Sequence, residues 1–201
     1  MNPVKIDPVW LMHIQKPARY IGGEWNSVVK DHDSVDVKVA LAFPDVYEVA
    51  MSHLGLKIIY SVLNARDDTL AERVYAPWVD MEALMREKHI PLYTLESKCP
   101  VKDFDVLGFT MPFEMCYTNI LDLSGIPLLA RDRSDEDPIV VSGGPCVYNA
   151  EPVADFFDVF FIGESEEAIG EMADIVKAWK KEGKPGGRRE IIRRMASIRG
   201  C

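Results

Sequence analysis

Histidine and cysteine are scarce in this chain of 201 residues, with four of each. Cys99, Cys116, Cys146 and Cys201 stand far apart, so neither a zinc ribbon nor a local iron-sulfur cradle can be built from them, and reduced thiols are the simplest state. His13, His32, His53 and His89 form no pair with another His or Cys at the spacing of a helical metal site, which argues against a zinc hydrolase. No apolar run approaches the roughly 18 residues that span a bilayer. The first ten residues carry two prolines and an aspartate where a secretory segment would be continuous and greasy, so a cytoplasmic protein without membrane contact is expected. Also missing are the Gly-x-Gly-x-x-Gly fingerprint after the first strand, the Walker lysine loop and the Gly-x-Ser-x-Gly elbow, which weakens nucleotide-cofactor and serine-hydrolase readings.

What is present is an ordinary globular balance, 48% apolar and 27% charged. The formal charge of -9 disfavours a nucleic-acid-coating surface. The charge is uneven, however: from residue 176 onward nine Lys and Arg face only Glu182 and Glu190. A solvated helix face with a linker explains this tail, and contact with a nucleic acid or an acidic partner is the alternative.

Strand and helix patterns alternate along the chain. Val37–Phe43 is nearly all apolar and stops at Pro44, as a strand buried on both faces does. A helix follows from Asp45 to Asn64, with Asp45 as its cap and an interruption near Gly55. A short strand at Ala71–Ala76, a helix at Val79–His89 and a run at Pro91–Leu95 continue the pattern. Then come Phe104–Phe109, a helical stretch from Phe113 to about Asp122, Pro138–Ser142, Asp158–Ile162 and a long helix from Ser165 to Glu182 stopped by Gly183. Such alternation predicts an α/β fold: a doubly wound, mostly parallel sheet of five or six strands, Rossmann- or flavodoxin-like. It spans residues 35–183, after an N-terminal arm (1–34) and before a linker and short basic helix (184–201) that has no packing partners of its own. The arm is either a docking segment or a cover for the edge of its own sheet.

In such a sheet ligands lie beyond the carboxyl ends of the strands. The residues there are Thr110 and Pro112, then Ser142, Gly143 and Gly144, then Gly163 and Glu164. Adjacent glycines bare the backbone N–H groups to a large flat or phosphate-bearing ligand, or simply serve a tight turn. Glu164 either accepts a hydrogen bond from a ligand or, like Glu166 and Glu167, favours the helix start. Met111, Pro112 and Phe113 add bulk that either lines a ligand face or plugs the cleft.

Together, Ile139–Pro145, Glu151-Pro152, Asp155–Asp158 and Ile162–Glu167 resemble the C-terminal half of cobalamin-binding domains attached to radical SAM enzymes. Lys16–Glu24, Phe43–Glu48, Met51–Gly55 and Tyr117–Leu121 are similar to one branch of those proteins, so the likeness covers nearly the whole chain. It implies a cofactor module that holds cobalamin in a cradle of Thr110, Pro112, Ser142, Gly143, Gly144, Gly163 and Glu164, with no catalytic residue and no metal ligand of its own. Backbone donors at the glycines, hydroxyls toward corrin amides and Glu164 as acceptor are the implied roles, and Gly144→Val is expected to abolish binding without changing circular dichroism. The implied partner is a C-terminal radical SAM barrel of the same polypeptide, carrying the [4Fe-4S] cluster and S-adenosylmethionine and acting on an unknown substrate. The chain lacks the cluster's Cys-x-x-x-Cys-x-x-Cys motif and is expected not to be catalytic alone.

Three departures qualify the likeness, one being the bulk of Met111, Pro112 and Phe113. The cobalt-binding pattern Asp-x-His-x-x-Gly has Met51 and Leu56 around His53, so His53 is read as a turn or helix-face residue rather than a ligand. Ser165 replaces a glycine and is expected to improve the helix cap. A ligand-free structural or docking domain for the barrel is the alternative function, and positioning of an RNA substrate by the basic tail a weaker one.

Overall fold

The computed structural model describes residues 1–120 and 126–201. β1 (Val37–Phe43) sends Val37, Val39, Leu41 and Phe43 into one buried cluster and Ala40 and Ala42 into another, which is why its sequence is apolar without alternation. It is joined by β2 (Thr69–Tyr75), β3 (Val106–Thr110), β4 (Ile139–Gly143) and β5 (Val159–Phe160) in a five-stranded sheet of order β2-β1-β3-β4-β5, every pairing parallel. This is the α/β Rossmann-like fold the alternation predicts. The chain moves outward from β1 to β2 and then returns past β1 to β3. Right-handed crossovers therefore go to opposite faces on either side of that jump, and a crevice opens between the ends of β1 and β3.

One face is covered by α3 (Leu54–Asn64), α6 (Ser165–Lys181) and α7 (Gly187–Met195). α6 buries Ile169, Met172, Val176 and Trp179 at three- and four-residue steps. It ends where Gly183 turns at φ +81° and the Trp179 indole donates to the Pro185 carbonyl at 3.0 Å. The other face is covered mainly by irregular segments that bury Val101, Phe104, Cys116, Val147, Val153 and Phe157.

The structure departs from the sequence reading at several elements. The helix expected over 45–64 with an interruption near Gly55 is indeed broken, at residues 51–53, into α2 (Tyr47–Ala50) and α3, but Asp45 caps neither: its carboxylate accepts from the adjacent Val46 N–H at 2.7 Å. After α4 (Val79–Glu87), the run Pro91–Leu95 forms no strand and contributes a single antiparallel bridge, Tyr93 with Pro100. The stretch expected from Phe113 holds a 3-10 turn at Glu114–Cys116 and α5 (Tyr117–Ile120), while Leu121 and Asp122 lie outside the described residues.

The basic tail is also corrected. Far from lacking packing partners, α7 buries Ile191 and Met195, with Ile198 just beyond it, against the same core as α6. Arg188 and Arg133 converge on the buried Asp158 carboxylate, Arg133 at 3.1 Å.

The N-terminal arm, with α1 (Pro8–Leu11), packs Tyr20, Trp10 and Leu11 against Met81, Met85 and Tyr93. Farther along, it runs beside the edge strand β2. There the Lys30 ammonium donates to the carbonyls of Asn64, Arg66 and Thr69, Glu24 pairs with Arg73, and His32 Nε2 lies 3.0 Å from Glu72. The edge-covering reading of the arm is thus the one its contacts bear out.

A glycine-lined cavity at the strand ends

A cavity of about 320 Å³ opens at the crevice, bounded by the ends of β1, β3 and β4, the first turns of α3 and the N-terminus of α6. Its floor is apolar: Leu41, Val141, Phe161, Leu56, Ile59 and Ile169. Thr110, Ser142, Gly143, Gly144, Gly163 and Glu164 all line it. Sequence reasoning therefore places these six residues together; Pro112 is half-buried and does not line the wall.

The three loop glycines have different reasons to be glycine. Gly144 has φ +108°, and a Cβ there would lie 2.9 Å from the Met111 carbonyl oxygen. The Met111 N–H donates to Gly143 O at 2.8 Å and its carbonyl accepts from Cys146 N–H at 3.2 Å, so the two loops are laced backbone to backbone. Gly144 is thus required by the fold, and the expectation that Gly144→Val leaves the fold intact is corrected. Gly143 has an ordinary φ, and a Cβ on it would meet only van der Waals neighbours, the nearest being Ser165 Oγ at 3.6 Å. At Gly163, φ is +110° and a Cβ would meet nothing within 4 Å, so that backbone faces open space.

Other side chains take roles the sequence left open. The Ser142 hydroxyl is buried and donates to the Phe109 carbonyl at 3.2 Å, so it is not offered to a ligand. Met111 is fully buried in the cluster on the other face of the sheet and does not plug the cleft, while Phe113 stays partly exposed. Glu164 is exposed at the N-cap of α6 and makes no capping bond, and Ser165 is the first helical residue, so the expected cap improvement is not realised.

His53 caps α3. Its Nδ1 accepts from Leu56 N–H at 3.2 Å and its ring packs on Phe43 with centroids 4.9 Å apart. Accepting at Nδ1 places the proton of the neutral ring on Nε2, and burial pushes the imidazole below its ordinary value, which favours that neutral form. The turn role read for His53 is what the structure shows. Gly55, Leu56, Ile59 and Ile169 are cavity residues that the sequence does not single out as such: Gly55 reads as a helix interruption, Leu56 as a departure from the cobalt-binding pattern, and Ile169 as one of the apolar positions of its helix.

The electrostatics narrow the ligand. Glu164 and Glu166 line the cavity and no Lys or Arg does, so a free phosphate would find no counter-charge. Among the described residues no group of three His, Cys, Asp or Glu is arranged to hold a metal ion, and no helix is long and apolar enough to cross a membrane. The arrangement can shelter a flat, largely uncharged group between an apolar floor and bare backbone.

No solved structure matches. An uncharacterized protein of Methanocaldococcus jannaschii is 27% identical over 129 residues, 64% of this chain but 24% of that protein, so the match spans about a quarter of the relative's length. Residues 55–201, from the first turn of α3 through α7, match the family described as radical SAM proteins, N-terminal. With four of the five strands and nearly all of α3, α6 and α7 inside that match, the chain belongs to the N-terminal region of the radical SAM proteins.

Proposed function

We propose that this chain is a cofactor-holding module that binds cobalamin at the crevice between β1 and β3 and presents it to a radical SAM catalytic domain. The observation that carries the reading is the cavity itself, an apolar slot at the topological switch point walled by glycines on the open side. The residues fit such a group. At Gly108 in the floor the nearest atoms to where a Cβ would stand are the Leu41 and Val141 side chains, at 3.6 Å, and Gly143 and Gly163 leave backbone in place of side chains at the rim. In this reading the slot holds an apolar ring of the ligand by burial. The Gly163 backbone and the Glu164 carboxylate meet polar groups above it, and Thr110 stands at the mouth.

When bound, the corrin cobalt supplies alkyl-transfer or one-electron chemistry. This chain's residues exclude water from the slot and fix orientation, and none acts as acid, base or nucleophile. His53 is committed to the α3 cap, so the module binds with no protein histidine on cobalt. That commitment is also what favours the second reading, a ligand-free docking domain for the catalytic domain. The cluster, S-adenosylmethionine and the reaction belong, in either reading, to that other domain.

The test is a visible-absorption titration with hydroxocobalamin followed by desalting, on this chain and on the protein carrying its catalytic domain. Colour should stay with the protein, with a spectrum unchanged by His53→Ala. Gly143→Val should weaken retention at least ten-fold with far-ultraviolet circular dichroism intact. Loss of colour from both proteins overturns the reading in favour of the docking domain.

A further inference from the structure

We propose that a second cavity, beside α4, binds a small organic anion with an apolar ring. At about 460 Å³ it is larger than the first, and it opens at the carboxyl ends of β1 and β2. Its walls are Phe43, Val74, Tyr75, Met85, Leu92 and Phe109, a surface suited to an aromatic or aliphatic body. Pro44, Pro77 and Pro91 also line it, and their fixed φ makes the chamber preformed rather than assembled on binding. Asn119 is pinned at the wall by its donation to the Pro44 carbonyl at 2.9 Å.

The charge around this chamber is opposite in sign to that of the chain as a whole, which is -9. Among the described residues, Arg86, Lys102 and His89 line it with one carboxylate, Glu82. Glu82 is already paired with Arg86 at 2.8 Å, one helical turn away. Lys102 is exposed and has no hydrogen-bond or ion-pair partner among the described residues, so its ammonium is available. His89 is held at the wall by the end of α4: it takes φ +53°, and the next N–H, of Ile90, closes back on the Met85 carbonyl at 2.8 Å. An apolar chamber with cations at its rim selects a ring bearing a carboxylate or phosphate over a neutral or cationic one.

The site is separate from the glycine-lined cavity; among the described residues the two share only Phe109 of β3. Its test therefore does not depend on cobalamin. A ¹⁵N-labelled sample of this chain is titrated with phenyl phosphate, with benzyl alcohol and inorganic phosphate as the ring alone and the charge alone. Saturable shifts are expected at the amides of Ile90, Leu92, Lys102 and Asn119, with Gly143 and Ser165 unmoved, and tighter binding of phenyl phosphate than of either half. Lys102→Glu should weaken it about ten-fold, the loss of one charge-assisted bond, and Lys102→Gln by less. No saturable shift at these amides, shifts at Gly143–Ser165 alone, or an affinity indifferent to Lys102→Glu would each overturn the proposal.

Discussion

At Gly144 the backbone sits at φ +108° and ψ 179°, a region that side chains other than glycine's scarcely visit, and the Met111 carbonyl closes the space where a Cβ would go. Its neighbour Gly143 is under neither constraint. Gly144→Ala should therefore cost about 1–3 kcal/mol or more, and Gly143→Ala only a few tenths, in urea unfolding of the two variants. Equal losses would show that the distinction is unfounded. The pair was legible in sequence as a site without being divisible into its two roles. Adjacent glycines announce that side chains are unwelcome, but whether a ligand or another piece of backbone excludes them depends on Met111, which the sequence placed only as bulk in the cleft. Ser142 failed for a similar reason: a hydroxyl at a strand end looks available until the neighbouring strand's carbonyl is found to accept its proton.

Among the elements, the N-terminal arm is secured by carboxylates whose affinity for protons the fold has altered. Hydrogen bonds from Lys16 and Arg19 hold the Glu48 carboxyl down at about 2. Burial pushes Glu24 up, but the bonds from Tyr47 and Arg73 outweigh it and keep that carboxyl below the ordinary value too. Both are depressed in the fold, so their contribution is whole above the ordinary glutamate range near pH ~4.5 and fades as the pH falls through the folded values. Acidification from that range toward about 2 should loosen the arm. The change should appear as a tryptophan fluorescence transition, from Trp10 in the arm's apolar cluster, that precedes global unfolding and shrinks in Glu48→Gln. A single transition identical in both proteins would argue against this. The elements themselves were read with uneven success. β1, β3, β4 and α6 were legible to within two residues because burial on one or both faces writes itself into apolar spacing. In α7 the dense arginines mask Ile191, Met195 and Ile198, whose three- and four-residue steps carry the packing face.

At the scale of the whole molecule, Asp158 ties together pieces distant in sequence. It receives Arg133 at 3.1 Å, Arg188 at the start of α7 and the Val140 N–H of β4 at 2.7 Å, while Arg133 also donates to the Phe156 and Leu128 carbonyls. Asp158→Ala would leave two largely buried guanidiniums without their carboxylate. About 3–5 kcal/mol of destabilisation is expected from denaturant unfolding, and a loss below about 1 kcal/mol would place the tie among ordinary surface pairs. Nothing in the sequence marked this convergence, because buried charge is invisible to hydropathy and long-range pairs have no spacing.

The opposite flank of the sheet carries a consequence for how copies of this chain meet. Along the outer side of β2, Ala71 exchanges both backbone groups with the Asn64 amide, the Arg73 N–H is taken by Glu96 and its carbonyl by Leu95 N–H, and the Thr69 carbonyl by Lys30. An approaching extended peptide finds no vacant donor or acceptor at these positions. Sheet-to-sheet polymerisation and peptide capture by strand addition are thus opposed along the Ala71–Arg73 stretch of this edge. The cover there is made by side chains and a neighbouring loop rather than by a further strand, so a short sheet gains a less adhesive border.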